Sequence, residues 1–314
     1  MSNDVSGKVA ITDRGGLLYG VAAYGFGGLT PLYFRSVQAL QDISPFEFLA
    51  HRIVWCAVLL TVVLGGLGRW APLRNCLRSP RLLLMLSLST VLIALNWYAY
   101  LQGTLTGQIE QASLGYFMIP LVNVALGVLF FGEELRPTRW LALGLAATGL
   151  VFLVVSLGEL PWIALVLAVS FSLYGLVRKV APVGSLTGLT VETLLLAPAA
   201  LVVLGLWQVR GASAFGTGNA ALAGLLVLSG PVTAIPLLCF GPAARRLSLS
   251  LLGFLQYISP SISLVLAVSL YKEAFPLAKA ISFGLIWTAL AVFSLDSLRR
   301  PSAAVLPPQE VDPR

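Results

Sequence analysis

The sequence predicts an all-α membrane protein: ten transmembrane helices arranged as two inverted five-helix halves, with both termini in the cytoplasm. Three observations predict it. Apolar residues come in runs of about 20, the length that crosses a ~30 Å hydrocarbon core at 1.5 Å per residue. Basic residues sort almost entirely to one side of those runs. A proline and a glutamate recur in register, Pro120 with Glu133 and Pro260 with Glu273, in helices that run in opposite directions. Composition agrees: 58% of the 314 residues are hydrophobic, 11% are charged, and the mean hydropathy is +0.90. A soluble domain carries about 25% charged residues to solvate its surface. This chain has too few, which excludes a cytosolic or secreted enzyme.

The runs follow in order. Residues 1–14 form a polar cytoplasmic tail, and 15–36 is too long and unbroken for a signal peptide, so it is expected to remain as an anchor. Next comes 46–68, separated by Arg69, Arg74, Arg78 and Arg81 from 81–103; then 111–132 and 138–157, with Arg136 and Arg139 at their junction. These five make the first half, 15–157. The second half, 158–298, holds 160–178, 187–208, 220–242, 248–271 and 276–297, and 299–314 is a cytoplasmic tail. Arg178 and Lys179 follow the first of these runs, Arg245 and Arg246 the third, and Arg299 and Arg300 the last. The Gly, Pro, Ser and Thr inside the runs would break helices in water, but in a membrane neighbouring helices re-satisfy the freed backbone groups.

With the amino terminus cytoplasmic, the basic residues just named, together with Lys8, Arg14 and Arg314, lie inside, fifteen of the twenty Lys and Arg. Only Arg210, Lys272 and Lys279 fall outside, while Arg35 and Arg52 sit near or within the membrane. The net charge of +7 is thus loop charge that sets topology, not a nucleic-acid surface. Cys56, Cys76 and Cys239 have no ligand or redox spacing and read as small hydrophobes; no metal or cofactor is expected.

The repeat carries the inversion. Glu133 ends a run on the cytoplasmic side and Glu273 ends one on the outer side, and Leu114-Gly115-Tyr116-Phe117 matches Leu252-Gly253-Phe254-Leu255 after a two-residue slip. Five spans is an odd number, so a duplicated half enters the membrane upside down. Secondary transporters share this plan, with a site near the midplane between the halves.

Several ordered segments resemble the RarD family, of the EamA branch of the drug/metabolite transporter superfamily. They are His51-Arg52-Ile53-Val54-Trp55, Ala112-Ser113-Leu114-Gly115-Tyr116-Phe117, Pro120-Leu121-Val122-Asn123, Tyr174-Gly175-Leu176-Val177-Arg178-Lys179 and the stretch from Leu251 to Pro260. The resemblance spans about residues 15 to 298 and implies two inverted EamA repeats, a bacterial inner (plasma) membrane location and movement of small metabolites or drug-like solutes. Members are described as chloramphenicol-sensitivity or permease proteins. The family does not name the cargo.

Ionisable groups at bilayer depth cost at least ~2.5–3.5 kcal/mol on insertion scales, so each asks for a partner or a role. Arg52 and the single histidine, His51, sit two turns into the second run from the outer side; Glu192 lies at similar depth in the seventh from the inner side. Arg52 either faces the central cavity and attracts an anionic group of the substrate, or pairs with Glu47 one turn earlier or caps a helix end and only fixes packing. Glu192 either carries a coupling proton or accepts structural hydrogen bonds. Asn96, Trp97 and Tyr100 in the third run, Tyr116 and Asn123 in the fourth, and Gln256 and Tyr257 in the ninth complete the candidate substrate site. The aromatics serve as well for interfacial belts, and the amides for bonds between helices. Pro120 and Pro260, with Gly115 and Gly253 nearby, make matched kinks or hinges. Glu133 and Glu273 read as local caps or pairs, Glu273 with Lys272 or Lys279. Gly16 and Gly20 have the GxxxG spacing that admits a homodimer.

No phosphate-binding loop, HExxH, GxSxG or paired aspartate is present, so no catalytic residue is assigned and ATP does not drive the chain by itself. The expected partners are the bilayer and a small-molecule substrate moved by alternating access. The rival readings are a membrane-embedded enzyme or a scramblase acting on a lipid-linked substrate. For the enzyme, Arg52, His51 and Glu192 would have to converge.

Overall fold

The computed structural model describes residues 13–105, 108–157, 160–270 and 277–299, and among these all regular structure is helical. In chain order the helices are α1 (Arg14–Gln38), α2 (Pro45–Gly66), α3 (Trp70–Arg78), α4 (Pro80–Leu105), α5 (Ile109–Phe131), α6 (Pro137–Leu157), α7 (Trp162–Val180), α8 (Ser185–Val209), α9 (Ala220–Arg246), α10 (Leu249–Gln256), α11 (Ile258–Ser269) and α12 (Leu277–Arg299). Local chemistry sets their ends. Asp13, Asn219 and Ser248 accept from the backbone N–H groups of Gly16, Leu222 and Leu251, capping α1, α9 and α10. Pro45 opens α2, where its missing N–H costs nothing, and Gly132, at φ 59°, closes α5 in a left-handed turn.

Among the described residues eight helical stretches are long and apolar enough to cross a membrane. They belong to α2, α4, α5, α6, α7, α8, α9 and the joined α10–α11. In α1, six glycines, Pro31 and Arg35 dilute the hydropathy of a helix 25 residues long, and in α12 the apolar stretch is the shorter Ala280–Phe293. The outer surface is apolar: Leu84, Leu129, Val155, Val202 and Val209 are exposed, while Ser89, Asn96, Ser172, Thr190 and Glu192 are buried. Polar groups inside and aliphatic ones outside invert the pattern of a water-soluble fold. Several buried hydroxyls bond back to the preceding turn, Thr90 to the Leu86 carbonyl and Thr193 to that of Leu189, which satisfies them within their own helix.

Three features depart from expectation. Between the second and third predicted runs lies a short helix, α3, that buries Leu73 and Cys76 and exposes its arginines. The predicted continuous helix over 248–271 is broken at Tyr257. Arg139 and Arg178, counted as loop charges, are buried in helices. Glu273 and Lys272 lie outside the described residues.

Packing is strongly ordered. α1 packs on α9 and α4 on α7; α5 packs on α7 and α1 on α11; α2 packs on both α8 and α9, and α4 on α8; α6 packs on α12 and α5 on α10. Exchanging α1, α2, α4, α5 and α6 in order with α7, α8, α9, α10–α11 and α12 maps this set of contacts onto itself. The GxxxG face of α1 is used inside the chain: Gly16 lies against Leu247 and Arg246, and Gly20 against Leu255 and Leu247. That spacing therefore lends no support to a homodimer.

Candidate functional site

α2 and α9 meet at a glycine. A Cβ on Gly230 would stand 2.6 Å from the Trp55 carbonyl oxygen, so only glycine permits this backbone approach. Three residues on, Thr233 then reaches Arg52, whose Nε donates to Thr233 Oγ1 at 3.1 Å. The Arg52 guanidinium carbon lies 5.5 Å from the ring centroid of Phe34 in α1 and 5.5 Å from that of Trp97 in α4, both within cation–π range. Tyr33, Tyr100 and Tyr116 are close enough to interact with its charge. The Tyr100 and Tyr116 rings meet edge to face, 6.2 Å between centroids. Helices α1, α4, α5 and α9 thus converge on one part-buried cation of α2 within a largely aromatic shell.

Arg52 has no carboxylate partner among the described residues. The Glu47 pairing is not formed. Five residues on a helix turn by about 140°, which points the two side chains apart, and Glu47 accepts instead from Ala214 N at 2.6 Å and Ser213 Oγ at 3.2 Å. His51 goes the same way: its ring lies 5.3 Å from that of Phe215 and 3.9 Å from Glu47 Oε1. His51 therefore faces the α8–α9 loop, away from the Arg52 shell.

Glu192 is a fully engaged acceptor. Ser89 Oγ donates to it at 2.6 Å, Tyr174 Oη at 3.3 Å and Arg178 Nη1 at 3.4 Å. Gly188 makes room for that arginine, since any Cβ there would overlap Nη1. Asn96 joins α4 to α7, donating to the Leu167 carbonyl at 2.9 Å and Ser170 Oγ at 3.2 Å. Tyr257 donates to the Phe117 carbonyl at 3.3 Å. Asn123 and Gln256 are buried, and the carboxamide oxygen of each has no hydrogen-bond partner among the described residues.

The prolines differ. Pro120 lies inside a continuous α5, whereas Pro260 is the third residue of α11, where a helix needs no N–H donor. Gly115 abuts Leu167 and Ala164, and Gly253 sits against the Pro120 carbonyl oxygen, 2.9 Å from where its Cβ would be. Glu133 accepts from Leu249 N at 2.6 Å and Ser250 N at 3.0 Å, tying the end of α5 to the start of α10.

Of the sequence candidates, the structure brings Arg52, Trp97, Tyr100 and Tyr116 together. Asn96, Glu192 and Tyr257 spend their polar atoms between helices, and His51 faces the loop. Sequence reasoning missed Phe34, Thr233 and Arg178. A neutral threonine and a phenylalanine in an apolar run carry no distinguishing signal, and Arg178 looked like any basic residue at a helix end.

Residues 14–155 match the model of the EamA-like transporter family. Over 92% of its length the chain is 43% identical to an uncharacterized transporter of Vibrio cholerae, covering 95% of that protein. It is 42% identical to Protein RarD of Streptomyces exfoliatus, over 93% of this chain and 92% of that one. A protein of known crystal structure, 22% identical, superposes with a TM-score of 0.67 over 91% of this chain and 99% of its own, and so shares the fold.

Proposed function

The chain belongs to the RarD family of EamA-type transporters, within the drug/metabolite transporter superfamily, and from that premise we propose that it is a secondary carrier of small metabolites or drug-like solutes. In this reading ten helices cross the bacterial inner membrane as two inverted halves, 15–157 and 158–298, with both termini cytoplasmic. α1 and the α12 segment supply the two spans beyond the eight apolar ones. The halves rock about a shared site to give alternating access.

The observation that carries the proposal is the exchange of contacts. The principal packing pairs, α1–α9 with α4–α7, α5–α7 with α1–α11 and α2–α9 with α4–α8, exchange when the halves are swapped, as expected for an intramolecular two-fold axis. Such an axis lets one sequence pattern build an outer gate and an inner gate, and it places Arg52 between helices of both halves: α1, α2, α4 and α9. A catalytic group is not favoured, because His51, Glu192 and Arg52 each address different neighbours.

Reconstitution tests the proposal. Proteoliposomes loaded with a bacterial metabolite extract should exchange a subset of solutes with the outside without ATP, faster than protein-free vesicles and with saturation. A protein that moves no solute above the empty-vesicle rate, while flipping labelled lipids, would overturn it.

A further inference from the structure

We infer that Arg52 is the docking point for a small organic anion with a flat apolar body, of which an aromatic carboxylate is the simplest case. This rests on the carrier reading above and names its substrate class. Two other arginines sunk into the helices each have a carboxylate: Arg139 lies 3.0 Å from Asp296 and Arg178 lies 3.4 Å from Glu192. Arg52 has none among the described residues. A part-buried guanidinium without a counter-charge is an attractive site for an anion, because the low dielectric strengthens the pairing.

The geometry restricts how that anion arrives. Thr233 holds Nε, and neither terminal nitrogen of Arg52 has a hydrogen-bond partner among the described residues. The Nη1–Nη2 edge is the one a carboxylate grips through two parallel bonds. Around it stand Phe34, Trp97 and the Tyr100–Tyr116 pair. Rings suit an apolar body by stacking or edge contact. A carboxylate alone would satisfy the charge and leave the rings unused; a neutral aromatic would do the reverse.

Equilibrium binding to the full chain in nanodiscs tests this with three probes: indole-3-carboxylate, indole-3-carboxamide and acetate. The aromatic acid should bind about tenfold or more tightly than either of the others, the scale of a charge-assisted pair. Arg52→Gln should bring the acid-to-amide ratio near one, Arg52→Lys should keep part of it, and Trp97→Leu should weaken both indoles while sparing the ratio. Equal affinity of the native protein for acid and amide overturns the proposal, whatever the variants do. So does an acid-to-amide ratio unchanged in Arg52→Gln. ATP-free flux without preference for anions would overturn the anion site and leave the carrier standing. Arg52-dependent binding of the acid with no flux would support the site and overturn the carrier.

Discussion

At the scale of single residues, two ionisable groups stood out in the sequence because each interrupts an apolar run, and their structural fates differ. Glu192 is neutralised by Arg178 and two hydroxyls; Arg52 meets rings and one threonine. That they are costly was legible, but their partners were not. Pairing Arg178 with Glu192 requires the α7–α8 turn to fold the two helices together, a tertiary fact that spacing does not encode. Removing one member of a buried pair typically costs about 3–5 kcal/mol, since it strands the other charge. Arg178→Met and Glu192→Gln should therefore each lower the thermal unfolding midpoint in detergent, since each strands the other buried charge. The double variant should recover part of the loss. Additive effects would mean that the two side chains do not interact.

At the scale of elements, helix positions were readable from hydropathy, while the helix contacts were not. The matched prolines illustrate the limit. Pro120 lies inside a continuous α5, where Tyr257 donates to the Phe117 carbonyl and Ser172 to that of Ile119 across to neighbouring helices, a setting in which proline inside a membrane bundle is tolerated. Pro260 instead begins a new helix. Glycines show the same dependence on context. Gly253 is pressed against the Pro120 carbonyl, whereas Gly205 in α8 has nothing near its missing Cβ. Gly253→Ala should lower the unfolding midpoint and the yield of folded protein. Gly205→Ala should be neutral or stabilising by up to about 1 kcal/mol, from helix propensity. Equal effects of the two substitutions would show that α5 and α10 do not meet at Gly253.

At the scale of the whole molecule, charge sorting and the Pro–Glu repeat pointed to two opposed halves before any contact was known. The exchange of the principal packing pairs, built from helix neighbours alone, supports the same proposal from a separate observation. The aromatic shell around Arg52 was half legible: Trp97, Tyr100 and Tyr116 announced themselves, whereas Phe34 enters only because α1 packs on α9, which also packs on α2. The direct test of opposed halves is to label equivalent turns from each side. Asp42, between α1 and α2, and Gly184, between α7 and α8, are exposed and occupy corresponding places in the two halves. In a background lacking Cys56, Cys76 and Cys239, Asp42→Cys should react with a membrane-impermeant maleimide in intact spheroplasts, and Gly184→Cys only after permeabilisation. Labelling of both from the same side would contradict the inverted architecture.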